Sequence, residues 1–437
     1  MNPEIRRYAW LDLGWHRLVI APLVLATLAA IPLVAARSPS KALAWGAAGL
    51  FLAVTLGWGT MRALASVSEE ARERTWDFQR MSASTAAELA LGKVFGAPVF
   101  QWYVGAWCLA VFLIAGLQAR LPNVAAFTVA MLGGAVLLHA LGVALSAAGS
   151  HLQVGQRARR GGAVVVFIGL LQMAPMALML LADRQRALVR WWGLLLSVET
   201  FAALSMVLFA GWAVLAAWRA LSRELREPVQ PWAWPAFAAF AALWWAGLST
   251  PTHDRVTTGE ALGLAAAILV LATYVSAVVD PLTPVSLART LRAWRPGAAR
   301  WQHRIPDWLL HGALAVIVGA AAFAFALPGQ VLASALLVAA CLALRDAAIV
   351  GCFGLLTPLR NPVGRAIFYI ALADLLLPFV LVTFGLPEVA RLVFPVLALP
   401  DPGPGTAAAI AAVQAALALG ALVLAAKHVR RLEPAAA

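Results

Sequence analysis

The sequence predicts an all-α polytopic membrane protein of about twelve transmembrane helices, arranged as two six-helix halves behind an amphipathic N-terminal helix. Three observations predict it. Of 437 residues, 62% are hydrophobic and only 12% are charged, whereas a soluble domain carries about a quarter of its residues as charge. Apolar runs recur almost end to end at the length, about 20 helical residues, that crosses a hydrocarbon core of about 30 Å. These runs are rich in Ala and Leu and lack strand alternation, so in lipid they satisfy their backbone only as helices. The same figures exclude disorder, a collagenous chain and a disulfide scaffold. Cys108, Cys341 and Cys352 all lie inside apolar runs, so no disulfide framework or zinc knuckle is readable.

The chain opens with residues 2–17, where Asn2 is cap-like and Pro3 suits the first helical position. Ile5, Tyr8, Leu11 and Trp15 recur at helical spacing, with Glu4 on the same face. This reads as a helix along the inner membrane surface. Six spans follow at residues 18–36, 42–61, 94–118, 124–148, 161–182 and 193–218. After the polar segment 219–227, six more follow at 232–248, 259–279, 308–327, 331–356, 364–386 and 406–426. The first span is long and lacks a small-residue cleavage site, so it reads as a span and not a signal peptide. The domains expected are 1–17 as interfacial helix, 18–226 as the first half and 227–437 as the second. Both halves follow one plan: two spans, a longer loop (62–93 and 280–307), three spans, a partly apolar segment (183–192 and 387–405) and a last span. This is the pattern of a parallel repeat.

Orientation follows from where Arg and Lys fall. With the N-terminus inside, 25 of the 33 basic residues lie on one side and 8 on the other, so both termini are expected in the cytoplasm. The net charge of +13 is then a topology signal and an attraction to anionic lipid headgroups. Nucleic acid is not an expected partner.

The loop after the second span carries the densest signal. Glu70 and Arg74 are four apart and suit a helix continuing from the second span. Thr85 and Glu88 form a capping-box pattern, so a short helix is expected from about Ala86 towards Lys93. Trp76, Phe78 and Met81 stand among charges, which calls for an interface with either lipid headgroups or a partner protein. In the second-half loop, Leu287, Leu291 and Trp294 share a face surrounded by Arg289, Arg292 and Arg295. That is a basic surface helix, at a position that also permits a second docking element.

The run Glu73-Arg74-Thr75-Trp76-Asp77-Phe78-Gln79-Arg80, followed by Ser82, Ser84, Thr85, Glu88, Leu89, Leu91, Gly92 and Lys93, resembles the cytoplasmic loop of ABC transporter permeases of the type-2 exporter class. About twenty residues match in order. The chain departs in using Arg74 where glycine is usual, and Ser82-Ala83-Ser84 where Thr-Pro-Leu is common. The resemblance implies that 85–93 is a coupling helix docked on a separate cytoplasmic ATPase. Thr75, Trp76, Asp77, Phe78, Arg80, Thr85, Glu88 and Lys93 would be its docking and coupling residues. It also implies a bacterial cytoplasmic (inner) membrane, with ATP and Mg held by the partner and no cofactor bound by this chain. A second permease chain stays an open partner. No G-x-x-x-x-G-K-[ST] phosphate loop occurs in the chain itself.

Polar groups within spans are costly and therefore informative, at about 2.5–3.5 kcal/mol each on insertion scales. Asp374 is near mid-span, and Pro378 removes the amide its carbonyl would pair with. These two, with Glu199 and His139, are the candidates for a translocation path or hinge, and a satisfied interhelical hydrogen bond is the plainer alternative for Asp374 and His139. Arg345 and Asp346 are adjacent, do not face each other on a helix, and are read as structural charges paired with other helices. No metal-ligand pattern, H-E-x-x-H, G-x-S-x-G or close pair of mid-span carboxylates occurs, so the chain is not expected to be an enzyme. The function expected is a permease subunit exporting a lipid-like, drug-like or peptide substrate by alternating access. The alternative is a proton-coupled secondary transporter of six plus six spans.

Overall fold

A computed structural model describes residues 2–81, 84–150, 188–225, 227, 232–247, 257–279, 306–326, 331–355, 362–393 and 403–432. The fifth expected span and the basic helix at 286–294 lie outside them. Among the described residues the chain is helical apart from one short hairpin. Nine helices among the described residues are long and apolar enough to cross a membrane, and the protein is an all-α polytopic membrane protein. The chain falls into two compact units, residues 1–189 with 195–229, and residues 190–194 with 230–437.

In the first unit, α1 (Pro3–Asp12) and α2 (Trp15–Ala35) meet at a bend of 71°. The Asn2 side chain caps α1 by accepting from the Glu4 and Ile5 amides, and Pro3 occupies the first turn. The second long apolar helix runs as α3 (Pro39–Phe51), a π-helical segment Leu52–Trp58, and α4 (Gly59–Arg72). Next come α5 (Trp76–Met81) and α6 (Ala86–Leu91), then a second π-helical segment, Gly92–Gly96, which leads into α7 (Val99–Gln118). The unit closes with α8 (Val124–Ser150) and α9 (Val198–Glu224).

Small residues let these helices approach, since lipid tails supply no hydrophobic drive between them. A Cβ at Gly133 would sit 3.0 Å from the Met206 and Val207 backbone, so α8 and α9 touch backbone to backbone there. Two larger apolar cores result, besides a small one of Ala130, Ala202 and Ala203 between α8 and α9. One joins α3, α7 and α8 around Phe51, Phe112 and Met131. The other joins α4, α6, α8 and α9 around Val67, Leu89, Val143, Ala217 and Leu221, with Trp76 among them.

Two local findings correct the sequence reading. The stretch expected to begin the sixth span forms a hairpin instead, β1 (Leu188–Trp191) paired with β2 (Leu194–Ser197), and α9 starts only at Val198 under a Ser197 cap. A four-residue apolar strand is indistinguishable from helix by hydropathy alone. Glu70 and Arg74 do not pair along a helix either, because α4 ends first. Arg74 has φ 60°, the Thr75 amide donates to the Glu70 carbonyl (3.0 Å), and the Arg74 amide donates to the Ala71 carbonyl (3.3 Å). That is a Schellman cap, whose left-handed position favours glycine. A side chain there costs about 1–2 kcal/mol, partly offset because glycine loses more freedom on folding. Arg74→Gly is therefore expected to stabilise the chain by about 0.5–1 kcal/mol, read as a raised melting temperature of the detergent-purified protein. An unchanged or lowered value refutes the assignment.

The second unit contains α10 (Ala233–Ala246), α11 (Thr258–Val279), α12 (Asp307–Ala324), α13 (Val331–Leu355), α14 (Pro362–Thr383), α15 (Pro387–Val393) and α16 (Pro404–Leu432). Helix α13 is central, packing on α11, α12, α14 and α16. A Schellman cap at Gly385 (φ 76°) ends α14, with the Leu386 amide on the Leu381 carbonyl at 2.9 Å. Trp191 joins this unit by packing its ring on Trp244, tilted by 43° with centres 4.6 Å apart, and by donating its indole N–H to the Trp244 carbonyl at 2.9 Å.

Candidate functional site

The first-unit candidate is the region where α1, α5 and α6 gather on the end of α4. The Thr85–Glu88 capping box forms as expected from the spacing. The Glu88 amide donates to the Thr85 hydroxyl (3.2 Å), and the Thr85 amide donates back to the Glu88 carboxylate (2.9 Å). These bonds from the Thr85 amide and hydroxyl hold the exposed Glu88 carboxyl below its ordinary value. The capped helix buries Ala86, Leu89 and Ala90 on α4, α8 and α9, leaving Thr85, Ala87 and Leu91 exposed.

Behind α6 lies a buried charge network. Lys93 is fully buried and forms an ion pair with Glu70, whose carboxylate also pairs with Arg7. Tyr8 donates its hydroxyl to Glu70 at 3.1 Å, and the Gln79 amide donates at 3.0 Å. The Lys93 ammonium lies 5.3 Å from the Trp76 ring centre, a cation–π contact. Burial pushes Lys93 below the ordinary lysine value, against the opposing pull of Glu70.

Helix α1 is locked into this network. Asn2 donates to the Glu88 carbonyl at 2.7 Å. Gly92 lies against Glu4, and a Cβ at Gly96 would sit 3.2 Å from the Ile5 Cα. The two glycines, four apart, let α1 lie directly on the π-helical segment. This explains why Glu4 shares the face of Tyr8: both are buried against protein, while Trp10 and Leu11 point outward. Only the Trp10 and Leu11 side of α1 is left open to an outside surface.

Of the residues expected to dock a partner, Lys93 and Trp76 are interior and are removed from any docking surface. An ammonium between two helices is held there only by a carboxylate 23 positions away, which spacing along one helix does not reveal. Phe78 and Met81 stay 71% and 76% exposed, with Thr75, Asp77 and Thr85 also exposed. Arg80 lies on α5 with its side chain outside the described ones. Sequence reasoning missed Arg7, Tyr8 and Gln79. Glu4 on an otherwise apolar face, and the Gly92/Gly96 spacing, were the available signals.

Two further first-unit candidates, His139 and Glu199, lie on α8 and α9. His139 is fully buried on α8, its Nε2 2.8 Å from the Thr55 carbonyl and its ring edge-on to Trp102. Thr55 lies in the Leu52–Trp58 π-helical segment, so His139 serves a carbonyl in that widened turn. Glu199, in the first turn of α9, accepts from the Asn123 amide at 3.1 Å and ties α9 to the start of α8.

In the second unit, Arg345, Asp346 and Asp374 come together. Adjacent Arg345 and Asp346 do meet, contrary to the helical-spacing argument, because the long guanidinium folds back: Nε and Nη2 reach the Asp346 carboxylate at 2.9 and 2.7 Å. Nη2 also reaches both Asp374 oxygens at 3.2 and 3.0 Å. Nη1 donates to the Gln414 side-chain oxygen (3.0 Å) and the Val393 carbonyl (3.3 Å). Tyr274 donates to Asp346 at 2.8 Å. Pro378 lies inside α14, which continues to Thr383. Tyr274 and Gln414 were not anticipated, although Gln414 is a lone polar side chain inside an apolar run and Tyr274 stands in a short polar cluster with Thr273 and Ser276.

Among the described residues, no group of three or more His, Cys, Asp or Glu is placed to hold a metal ion. No family model, curated protein or solved structure matches this chain.

Proposed function

We propose that this chain is the transmembrane permease subunit of an ATP-driven exporter that works with a separate ATPase chain. The observation that supports it most is α6: a capped helix in the loop between two long apolar helices, sharing one core with α4, α8 and α9. A push on α6 therefore moves three long helices, which is what coupling requires. The exposed Phe78 and Met81 on α5 supply the contact surface. In this reading the chain crosses the bacterial inner membrane twelve times as two six-span halves. Those are the nine long helices, the bent α1–α2 pair, the shorter α10 and the span read at 161–182. Both termini are cytoplasmic, the inner face meets anionic lipid, and the partner holds ATP and Mg. The substrate is lipid-like, drug-like or peptide, moved by alternating access, and this chain does no covalent chemistry.

The test is co-purification of the full chain from its native membranes. A nucleotide-binding ATPase is expected with the wild type. The variant Phe78→Ala with Met81→Ala is expected to weaken its retention by about 2 kcal/mol, with no change in melting temperature because both side chains are exposed. Recovery of no ATPase with the wild type overturns the reading. Uptake into vesicles driven by a pH gradient without ATP replaces it with the secondary-transporter alternative.

A further inference from the structure

The Arg345 cluster in the second unit is unbalanced. One guanidinium faces two carboxylates, Asp346 and Asp374, and all five of its N–H donors are used. The cluster therefore carries one excess negative charge with both acids ionised. Its depth makes that costly. At 1.5 Å per residue, Asp374 lies about 18 Å from the start of α14, and Arg345 about 21 Å from the start of α13. Both are far from either helix end, where a net charge is strongly disfavoured. The end of α15 adds to the imbalance. Its Leu392 and Val393 carbonyls, the negative end of a short helix, are capped by Gln414 and Arg345 inside the same cluster.

We propose that this cluster binds one proton on Asp374, and that binding it frees α14 from α13. The two acids are held unequally, which decides which one takes it. Among the described residues, Asp346 accepts from Nε, Nη2 and the Tyr274 hydroxyl, whereas Asp374 accepts from Nη2 alone. Protonation of the Asp374 carboxylate to the acid leaves Arg345 and Asp346 as a neutral pair. The charge tie between α14 and α13 is then lost.

Among the described residues little else holds α14. Only 11% of its most apolar stretch is buried, against 61% for α13, and its extensive contacts with described helices are to α13 and α15. The other charged groups on those elements do not compensate Asp374. Glu388 and Arg391 of α15 pair with each other at 3.4 Å and are exposed, and Arg365 lies in the first turn of α14. Tyr274 of α11 faces Asp346, and Gln414 of α16 is neutral.

The site stands independently of the permease reading, because its test involves neither ATPase nor transport. The full-length protein in lipid nanodiscs is titrated from about pH 9 to about pH 4, a range spanning ordinary carboxyl titration and its upward shifts. Infrared difference spectroscopy reads the protonated carboxylic-acid band. Hydrogen exchange in α14, corrected for intrinsic rate, reads its release. A one-proton band is expected, absent in Asp374→Asn and kept in Glu388→Gln. Exchange in α14 is expected to rise several-fold on acidification in the wild type, and to stay at the raised level at every pH in Asp374→Asn. Asp374→Glu controls for folding, since it keeps the titrating group and is expected to keep the band. A band that survives in Asp374→Asn overturns the proposal. So does α14 exchange that stays flat with pH in the wild type.

Discussion

Arg345→Gln is expected to destabilise the second unit by about 3–5 kcal/mol, the range for breaking a buried ion pair by removing one partner. The change strands two carboxylates at once. Among the described residues, Asp374 loses its sole donor and Asp346 keeps only Tyr274. The Val393 carbonyl and the Gln414 oxygen lose a donor as well. Whole-domain stability is about 5–15 kcal/mol, so the loss removes a large share of it. Thermal or denaturant unfolding of the purified protein in detergent reads it. Arg345→Lys is expected to rescue only partly, because three ammonium donors on a flexible stem cannot reproduce a planar five-donor fork. Adding Asp374→Asn to Arg345→Gln is expected to restore part of the loss, since one orphaned charge disappears. Wild-type unfolding of Arg345→Gln would refute the assigned network.

Glu70→Gln is expected to cost the first unit a similar amount, about 3–5 kcal/mol, for a different reason. It leaves the Lys93 ammonium fully buried without its carboxylate and frees Arg7 from the same partner. Lys93→Met is expected to be milder, since Glu70 keeps Arg7, Tyr8 and Gln79. The double variant Glu70→Gln/Lys93→Met is therefore expected to unfold later than Glu70→Gln alone, the non-additivity expected of a coupled pair. Because Arg7 and Tyr8 belong to α1, Glu70→Gln is also expected to speed proteolysis at Arg6 and Arg7. If α1 stays as protected as in the wild type, the network does not hold it.

Much of the fold is legible along the chain because its causes are local. Span-length apolar runs become helices since lipid offers the backbone no other partner, and eleven of the twelve expected runs fall on described helices. The Asn2 cap of α1 and the Thr85–Glu88 box are legible because each spans three residues or fewer. Arg74 shows the limit of such reading. Its φ of 60° is set by how α4 ends and not by its own residue type, which spacing alone does not reveal. The hairpin from Leu188 to Ser197 escaped because four apolar residues carry no period. Its Trp191 is fixed by Trp244, far along the chain.

The candidate sites divide in the same way. Sequence alone determined that this is a helical membrane protein, which loop carries its amphipathic helices, and which few polar residues sit inside apolar runs. Those follow from hydropathy and from spacings of three or four residues. Only the tertiary structure decided which of those residues meet. It turned Lys93 inward onto Glu70, set Trp76 over it, and left Phe78 and Met81 outside. It also brought Arg345 to Asp374, 29 positions away, and Gln414 to Arg345, 69 positions away. The physical reason is that a buried charge is tolerable only beside its counter-charge, and helix packing, not local sequence, selects that neighbour.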